Sequence, residues 1–245
     1  MGYTEYAPQA SLQTGVKCFW SIRDEPSDNI QEVWPDGCVE LVFSLGNIFK
    51  VSADGSSRPF PRVMVVGLQT QIMRVRCDGV LRLLGARLLP FGLGEWQPEQ
   101  LETLADTIEP LLRKDRFADA VKLLEVWLER QPGIDDHLNN RFYSALRRLY
   151  ADSGNLTVSQ LAAAQGLSTR QLERMFAGKL GVSPKMLARV VRFARSWSLM
   201  LSNPDLCLAD LALELGYSDQ AHFSNEFQSF GRQSPRAFRK GPLAK

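Results

Sequence analysis

The chain has 245 residues, of which 44% are hydrophobic and 23% charged, and these fractions exclude disordered, collagen-like and low-complexity chains. Because a single hydrophobic core usually stops growing near ~250 residues, this length favours two domains. Residues 155–245 hold 12 Lys and Arg against 6 Asp and Glu, whereas residues 1–154 hold 17 against 21. Such a basic segment is typical of a nucleic-acid-binding module, although a solvated basic surface would have the same charge.

The sequence also argues against several other classes of protein. No stretch approaches the ~18 to 20 apolar residues of a membrane span, and charges interrupt the first thirty residues, which predicts a cytoplasmic protein with no membrane partner. The four cysteines form no CxxC pair, and the two histidines, His137 and His222, lie far apart. We therefore expect no metal site, no cofactor and no catalytic residues.

Residues 1–95 show short β-branched and aromatic runs separated by turn signals. The predicted strands are 17–23, 31–34, 39–45, 48–52, 63–68, 72–76 and 80–88. The turn signals between them include Trp34-Pro-Asp-Gly37, Leu45-Gly-Asn47 and Cys77-Asp-Gly79. Charged and apolar residues alternate in the last two runs, as in strands with one wet face. The pattern predicts a small antiparallel β-barrel or sandwich.

Residues 96–152 change to a helical period. Three amphipathic helices are predicted: the first begins near Pro98, the second ends at Pro132-Gly133, and the third opens at Asp135-Asp136 and ends at Arg147-Arg148. Their apolar stripe either packs on the barrel and on neighbouring helices or forms a dimerisation surface. We treat this segment as a helical extension or linker.

Residues 153–245 contain an internal repeat. Residues 157–166 align with 207–216 at a spacing of 50, with leucine, alanine and glycine at matching offsets. Each copy predicts a short helix stopped by glycine, and Ser168 with Gln171 fits a capping box that starts a second helix. Helix, tight turn and second helix form a helix-turn-helix unit, whose second helix can lie in the major groove.

Each copy ends in a Ser-Pro pair that starts another helix, namely Ser183-Pro184 and Ser234-Pro235. The helix over residues 184–201 is long enough to join the two units as a rigid rod. Two units held in this way could enter adjacent major-groove segments on one face of DNA, about one turn or ~34 Å apart.

Here the sequence resembles a known family. Residues 155–245 are similar to the tandem helix-turn-helix domain of the AraC/XylS family of bacterial transcription regulators. The match is most specific in Asp210-Leu-Ala-Leu-Glu-Leu-Gly-Tyr-Ser-Asp-Gln-Ala-His-Phe-Ser-Asn-Glu-Phe227 and in Ser234-Pro-Arg-Ala-Phe-Arg239. One departure is that Gly231 stands one position earlier than the usual glycine, with Arg232 in its place, so we expect a slightly different turn.

The N-terminal part resembles a subgroup of the same regulators. The motifs that carry this resemblance are Tyr6-Ala-Pro8, Phe19-Trp20, Pro35-Asp-Gly-Cys-Val-Glu-Leu-Val-Phe43 and Gly85-Ala-Arg-Leu-Leu-Pro-Phe-Gly92. The resemblance implies a cupin-like β-barrel followed by helices. Residues that would bind a cofactor or an effector are not identified by it.

Candidate base-reading residues follow from helix geometry and from the family pattern. On the first recognition helix, Arg170, Glu173 and Arg174 share the face opposite the apolar Leu172 and Phe176. Arginine suits guanine and glutamate suits cytosine, whereas glutamine and asparagine suit adenine. On the second recognition helix the corresponding residues are Gln220, Ala221, His222, Ser224 and Asn225. The alternative is a solvated face with no partner.

Basic side chains elsewhere in the domain are candidates for phosphate contacts, which need charge but no base geometry. They are Lys179, Lys185, Arg189, Arg192, Arg195, Arg236, Arg239 and Lys240.

Two function classes remain from the sequence. The favoured class is a sequence-specific transcription regulator whose N-terminal domain senses an effector or mediates dimerisation. The alternative is an enzyme that uses the helix-turn-helix pair only for targeting to DNA. Double-stranded DNA is the expected partner, and a small-molecule effector, RNA polymerase and a second copy of the chain are further candidates. Cys38 is a candidate thiol sensor, but a cysteine at the start of an apolar strand is more often a small core residue.

Overall fold

A computed structural model describes residues 2–24, 27–92, 96–131 and 140–240. The described residues fall into two compact units by packing. One comprises Met1–Val33, Cys38–Gly67 and Met73–Leu138, and the other comprises Trp34–Gly37, Leu68–Ile72 and Asn139–Lys245. The helices over residues 98–129 thus group with the sheet, and those after residue 140 form the second unit. The three-part division at residues 95/96 and 152/153 stays a prediction.

The first unit is built on one antiparallel sheet. Its strands are β1 (Gly2–Tyr6), β2 (Val16–Asp24), β3 (Ser27–Val33), β4 (Val39–Val51), β5 (Ser57–Pro59), β6 (Val63–Val66) and β7 (Met73–Leu88). The main strand order is β1-β2-β7-β4-β5. Strand β3 pairs with the first half of β7, and β6 pairs with the first half of β4. Among the described residues β1, β3, β5 and β6 each pair with one neighbour only, so the sheet is open and does not close into the predicted barrel.

Two long strands replace two predicted pairs of short ones. The signals Leu45-Gly-Asn47 and Cys77-Asp-Gly79 lie within β4 and β7 as an irregularity in one ladder, not as turns between strands. Gly46 has φ +124°, and a Cβ there would approach the Val80 carbonyl oxygen to 2.8 Å. A glycine bulge therefore bends the pair without ending it, because glycine tolerates positive φ.

Alternation divides the sheet residues between two faces. Leu41, Phe43, Leu84 and Ala86 are buried on one face of the adjacent β4 and β7. A second buried cluster on the sheet comprises Cys18, Trp20, Val42, Ile48, Met64, Leu81 and Leu83. The helices η1 (Pro90–Gly92), α1 (Pro98–Arg113) and α2 (Phe117–Glu129) follow, and α1 packs against β4, β6, β7 and α2.

Residues from the different N-terminal motifs contact one another in the first unit. The indole Nε1 of Trp20 donates to Glu40 Oε2 at 2.6 Å, and Arg87 Nε donates to Glu40 Oε1 at 2.7 Å. A Cβ at Gly85 would overlap the Trp20 ring, so glycine is needed opposite the indole. These residues, which carry the N-terminal resemblance, therefore form one packed structural group.

The second unit is helical outside its two short inserted segments. Its helices are α3 (Arg141–Ala151), α4 (Val158–Ala163), α5 (Thr169–Leu180), α6 (Pro184–Ser202), α7 (Leu208–Glu214), α8 (Gln220–Gly231) and α9 (Pro235–Lys240). The capping box of Ser168 with Gln171 and the Ser183 cap before Pro184 are confirmed. The predicted opening of the third helix at Asp135-Asp136 lies outside the described residues; α3 begins with Asn140 as its N-cap.

Trp34 completes the core of this unit although it lies far away in sequence. Its ring stacks on Phe193 at 5.8 Å between centroids and contacts Phe227 and Phe238 at 6.2 and 5.2 Å. The predicted turn Trp34-Pro-Asp-Gly37 is held at its other end by the Tyr150 hydroxyl, which donates to the Gly37 carbonyl. The turn is thus part of the helical unit.

The described fold confirms the predicted class, an antiparallel sheet domain with helices and a C-terminal all-helical domain. None of the described helices is both long and apolar enough to cross a bilayer.

Candidate nucleic-acid interface

The first helix pair, α4 and α5, exposes one polar face. Leu172 and Phe176 are fully buried, and they anchor the opposite side of α5 in the core. The residues that line the outer surface are Ser168, Arg170, Gln171, Glu173, Arg174 and Ala177. The structure therefore brings the three predicted base-reading residues of α5 together on a single open surface.

The second pair, α7 and α8, repeats this arrangement with different chemistry. Phe223 and Phe227 are fully buried, while Ala221, His222 and Asn225 are exposed. Gln220 and Ser224 are half-buried, and the Ser224 hydroxyl donates to the Gln220 carbonyl at 2.8 Å. All five predicted residues lie on α8, and three of them are exposed.

The start of α8 is organised by Asp219, which the sequence prediction did not assign as the cap. Asp219 Oδ1 accepts from the His222 backbone N–H at 2.7 Å, which makes it the N-cap one residue after Ser218. This hydrogen bond lowers the pKa of the Asp219 carboxyl, and the hydrogen bond from the Ser218 hydroxyl makes a smaller contribution in the same direction. The Nδ1 of His222 lies 3.1 Å from the Ser218 hydroxyl, and its ring stands edge-on to Tyr217.

The packing at the end of α8 explains why glycine stands at position 231, one residue before the usual glycine of the family pattern. Arg232 takes the left-handed conformation, with φ 55°, that a glycine would take in the family pattern. Gly231 is buried, and a Cβ there would lie 3.1 Å from two ring atoms of Trp34. Glycine at 231 therefore admits the Trp34 ring, and the left-handed turn stays at position 232, where Arg232 adopts it in place of glycine.

The predicted phosphate-binding cations fall into two groups. Lys179, Lys185, Arg195, Arg236 and Lys240 are exposed, with the Lys179 ammonium over the Phe142 and Tyr143 rings at 5.5 and 5.8 Å. The other three bind groups within the unit: Arg189 and Arg192 contact Glu226, and Arg239 donates to the Leu206 carbonyl. Phosphate binding stays a prediction for both groups.

Comparison with known proteins decides the family of this part of the chain. A family model described as a helix-turn-helix domain matches residues 161–241. The transcriptional regulator MtrA of Neisseria gonorrhoeae is 30% identical over 129 residues, which are 53% of this chain and 40% of MtrA. The C-terminal part is an AraC-type helix-turn-helix domain. The Msm operon regulatory protein of Streptococcus mutans is similar to it, at 34% identity over 86 residues, 35% of this chain and 31% of that protein.

The part of the chain before the AraC-type domain has its own match. A family described as a domain of unknown function, DUF6597, matches residues 4–110. ToxT of Vibrio cholerae O395, solved with (E)-4-(8-methylnaphthalen-1-yl)but-3-enoic acid bound, has a TM-score of 0.50 at 11% identity and covers 98% of this chain and 99% of ToxT. This likeness shows the shared two-domain fold. The chain spans less than half the length of the curated relatives it matches.

Sequence reasoning missed one charged residue of the AraC-type domain. Glu226 is 8% exposed and lies on the inner face of α8, in register with Phe223, Phe227 and Phe230. A signal for it was present, because a glutamate at this helical spacing within an apolar stripe predicts a buried carboxylate with a partner. Within the described ranges, no three His, Cys, Asp or Glu side chains come together as metal ligands.

Proposed function

We propose that the protein is a sequence-specific DNA-binding transcription regulator that reads two adjacent major-groove segments with α5 and α8. The observation that carries the proposal is that one compact unit holds two helix-turn-helix pairs, each with a polar face exposed on its second helix. The names of the similar proteins MtrA and the Msm operon regulatory protein support the regulatory role.

The two faces differ in the bases they suit. Arg170 and Arg174 can each donate a forked pair of hydrogen bonds to guanine, and Glu173 can accept from cytosine. Asn225 and Gln220 suit adenine, and Ala221 suits the thymine methyl group. We therefore propose a binding site with a G·C-containing block for α5 and an A·T-containing block for α8, with centres about ten base pairs apart.

Selection of bound duplexes from a randomised pool tests this function. The full-length protein should enrich two sequence blocks, and the Arg174→Ala, Asn225→Ala double variant should lose preference at both. Arg113→Ala, which removes an exposed arginine of α1, serves as the matched control and should enrich the wild-type site. A folded wild-type protein that enriches nothing above the random pool would contradict the proposal.

We further propose that the N-terminal unit modulates DNA binding, through a small-molecule effector or through dimerisation. ToxT, which shares the two-domain fold, was solved with an organic acid bound, and that acid is a practical first probe. Addition of the acid should change the DNA affinity or the sedimentation behaviour of the full-length protein. If neither changes, this class of effector is excluded.

We propose a non-enzymatic protein of the bacterial cytoplasm, associated with the nucleoid, for which RNA polymerase is a further candidate partner. The alternative of an enzyme targeted to DNA predicts chemical change of the bound duplex. Recovery of intact duplex after prolonged incubation would argue against that alternative.

A further inference from the structure

A buried carboxylate lies between α8, the second recognition helix, and α6, the helix that joins the two helix-turn-helix pairs. Glu226 is 8% exposed on the inner face of α8. A buried charge is costly unless it is paired and hydrogen-bonded, so its partners show what the residue does.

Its partners come from two other elements of the unit. Glu226 Oε2 accepts from Arg189 Nε at 2.8 Å, and Oε1 accepts from Arg192 Nη2 at 3.4 Å. Both arginines lie on α6, three residues apart and therefore on one face. The third donor is the Tyr217 hydroxyl in the turn before α8, at 3.1 Å from Oε1. One carboxylate thus joins α6, α8 and the turn between α7 and α8.

The donors are themselves held in place. The Arg189 guanidinium lies 5.1 Å above the Phe230 ring, and that of Arg192 lies 5.2 Å above the Tyr217 ring. Arg192 Nη1 also donates to the Gly154 carbonyl at 3.4 Å, in the turn that precedes the first helix-turn-helix pair. Burial, with the nearby charge of Glu226, raises the pKa of the Tyr217 hydroxyl well above its usual range, so it keeps its proton as a donor at neutral pH.

The position of this network in the unit gives it a geometric effect. Three residues separate the end of α5 from the start of α6, and α6 packs against α5, α8 and α9. The angle between α6 and α8 therefore determines where the second recognition helix lies relative to the first. Apolar contacts among the phenylalanines are non-directional, whereas hydrogen bonds to the carboxylate fix rotation and sliding of α8.

We infer that Glu226 is a positioning residue that sets the distance and phase between α5 and α8, and hence the spacing of the two base-pair blocks that the protein accepts. The inference rests on the proposed function. A one-base-pair change in spacing rotates one block by about 35° relative to the other, because B-DNA completes a turn in about 10 to 10.5 base pairs. A rigid pair of recognition helices should therefore discriminate sharply between spacings.

The test measures affinity as a function of spacing. Duplexes carry the two blocks selected by the full-length wild type, with the spacer shortened or lengthened by one or two base pairs. The wild type should lose roughly tenfold in affinity for each base pair of displacement, the size of effect that a lost base contact has. Glu226→Gln should keep the preference for each block but reduce this spacing penalty to about threefold or less.

Two further variants make the test decisive. Tyr217→Phe removes only the hydroxyl that donates to Glu226, and it should reduce the spacing penalty to an intermediate value. Glu214→Gln changes an exposed glutamate of α7 and should keep the wild-type profile. If Glu226→Gln fails to fold, as judged by circular dichroism, Tyr217→Phe decides the question.

The two kinds of failure can be told apart. Folded Glu226→Gln and Tyr217→Phe variants with the wild-type dependence on spacing would overturn the positioning role while leaving the regulator proposal intact. A wild type that selects no blocks at all would overturn the proposed function itself.

Discussion

Arg174 is an exposed side chain in the middle of the polar face of α5, so it offers the sharpest test at the scale of a residue. Arg174→Ala should cost roughly 1 to 3 kcal/mol of binding free energy on the selected site and relax the preference at one base position. The physical reason is the loss of a forked pair of hydrogen bonds to a guanine. Equilibrium binding to the selected duplex and to its single-base variants measures both effects.

Lys185 provides the comparison for that variant. It is exposed near the start of α6 and is a candidate phosphate contact, so Lys185→Ala should weaken binding to all sequences alike. Equal losses on selected and random duplexes for Arg174→Ala would remove its proposed role in base reading.

Trp34 belongs to the core of the helical unit although it lies in the N-terminal part of the sequence. Trp34→Ala leaves a cavity between Phe193, Phe227 and Phe238. It should lower the unfolding free energy of the helical unit by roughly 2 to 4 kcal/mol. The loss is smaller than for a fully buried tryptophan because Trp34 is half-buried. Hydrogen exchange should show faster exchange in α6 and α8. Unchanged exchange there would contradict the assignment of Trp34 to this core.

Sequence patterns were most informative where a residue's function depends on local geometry. The grouping of Arg170, Glu173 and Arg174 follows from helical spacing alone, and so do the caps at Ser168 and Ser183. The contacts of Trp34 could not be predicted, because more than 150 residues separate it from its ring partners. The partners of Arg189 depend likewise on how two helices pack, which no local pattern specifies.

At the scale of an element, α8 begins at a charged cap whose effect depends on pH. The pKa of the Asp219 carboxyl is lowered from its ordinary value of 3.8, chiefly by the His222 backbone N–H. A lowered pKa means that the charged cap stabilises the fold fully above pH 3.8 and loses this contribution as pH falls through the lower folded-state value. The effect is small because the carboxyl is exposed to water.

Comparison with Asp219→Asn isolates this contribution, because asparagine is also a good N-cap but has no charge. The charge-dependent part of the difference in unfolding free energy between wild type and variant should be constant near neutral pH and should be lost at acid pH. Urea unfolding at a series of pH values measures it. A difference that does not change with pH would show that the charge of the cap is irrelevant.

Elements were predicted best where the apolar period is long and well capped, as in α5 and α6. The sheet was harder to predict, because glycine at 46 looks the same in a turn and in a bulge, and only the pairing of β4 with β7 distinguishes them. Closure of the predicted barrel failed for a related reason. It requires pairing between strands at opposite edges of the sheet, and the alternation within each strand has no bearing on such a long-range contact.

At the scale of the whole molecule, the basic excess of residues 155–245 predicts strongly salt-dependent binding. The logarithm of the binding constant should fall linearly with the logarithm of salt concentration, and Arg236→Gln should reduce the slope by about 1, because one fewer phosphate contact releases fewer counterions. Titrations at several salt concentrations measure the slope.

Arg62→Gln is the matched control for that measurement. Arg62 lies in the first unit and binds the carboxylates of Glu102 and Asp106 at 2.7 and 2.8 Å, so its loss should leave the slope unchanged. Equal slopes for wild type and Arg236→Gln would exclude Arg236 from the phosphate contacts.

The central claim is that two recognition helices of one chain enter adjacent major-groove segments. Contacts to purine N7 atoms, which lie in the major groove, test this most directly on the selected duplex bound by the full-length protein, with guanine N7 followed by methylation protection and adenine N7 by 7-deaza-adenine substitution. We predict two protected patches about ten base pairs apart on the same face of the DNA, with protection at the α5 block lost in Arg174→Ala. A single protected patch, or a specific complex with no protection in the major groove, would contradict the account.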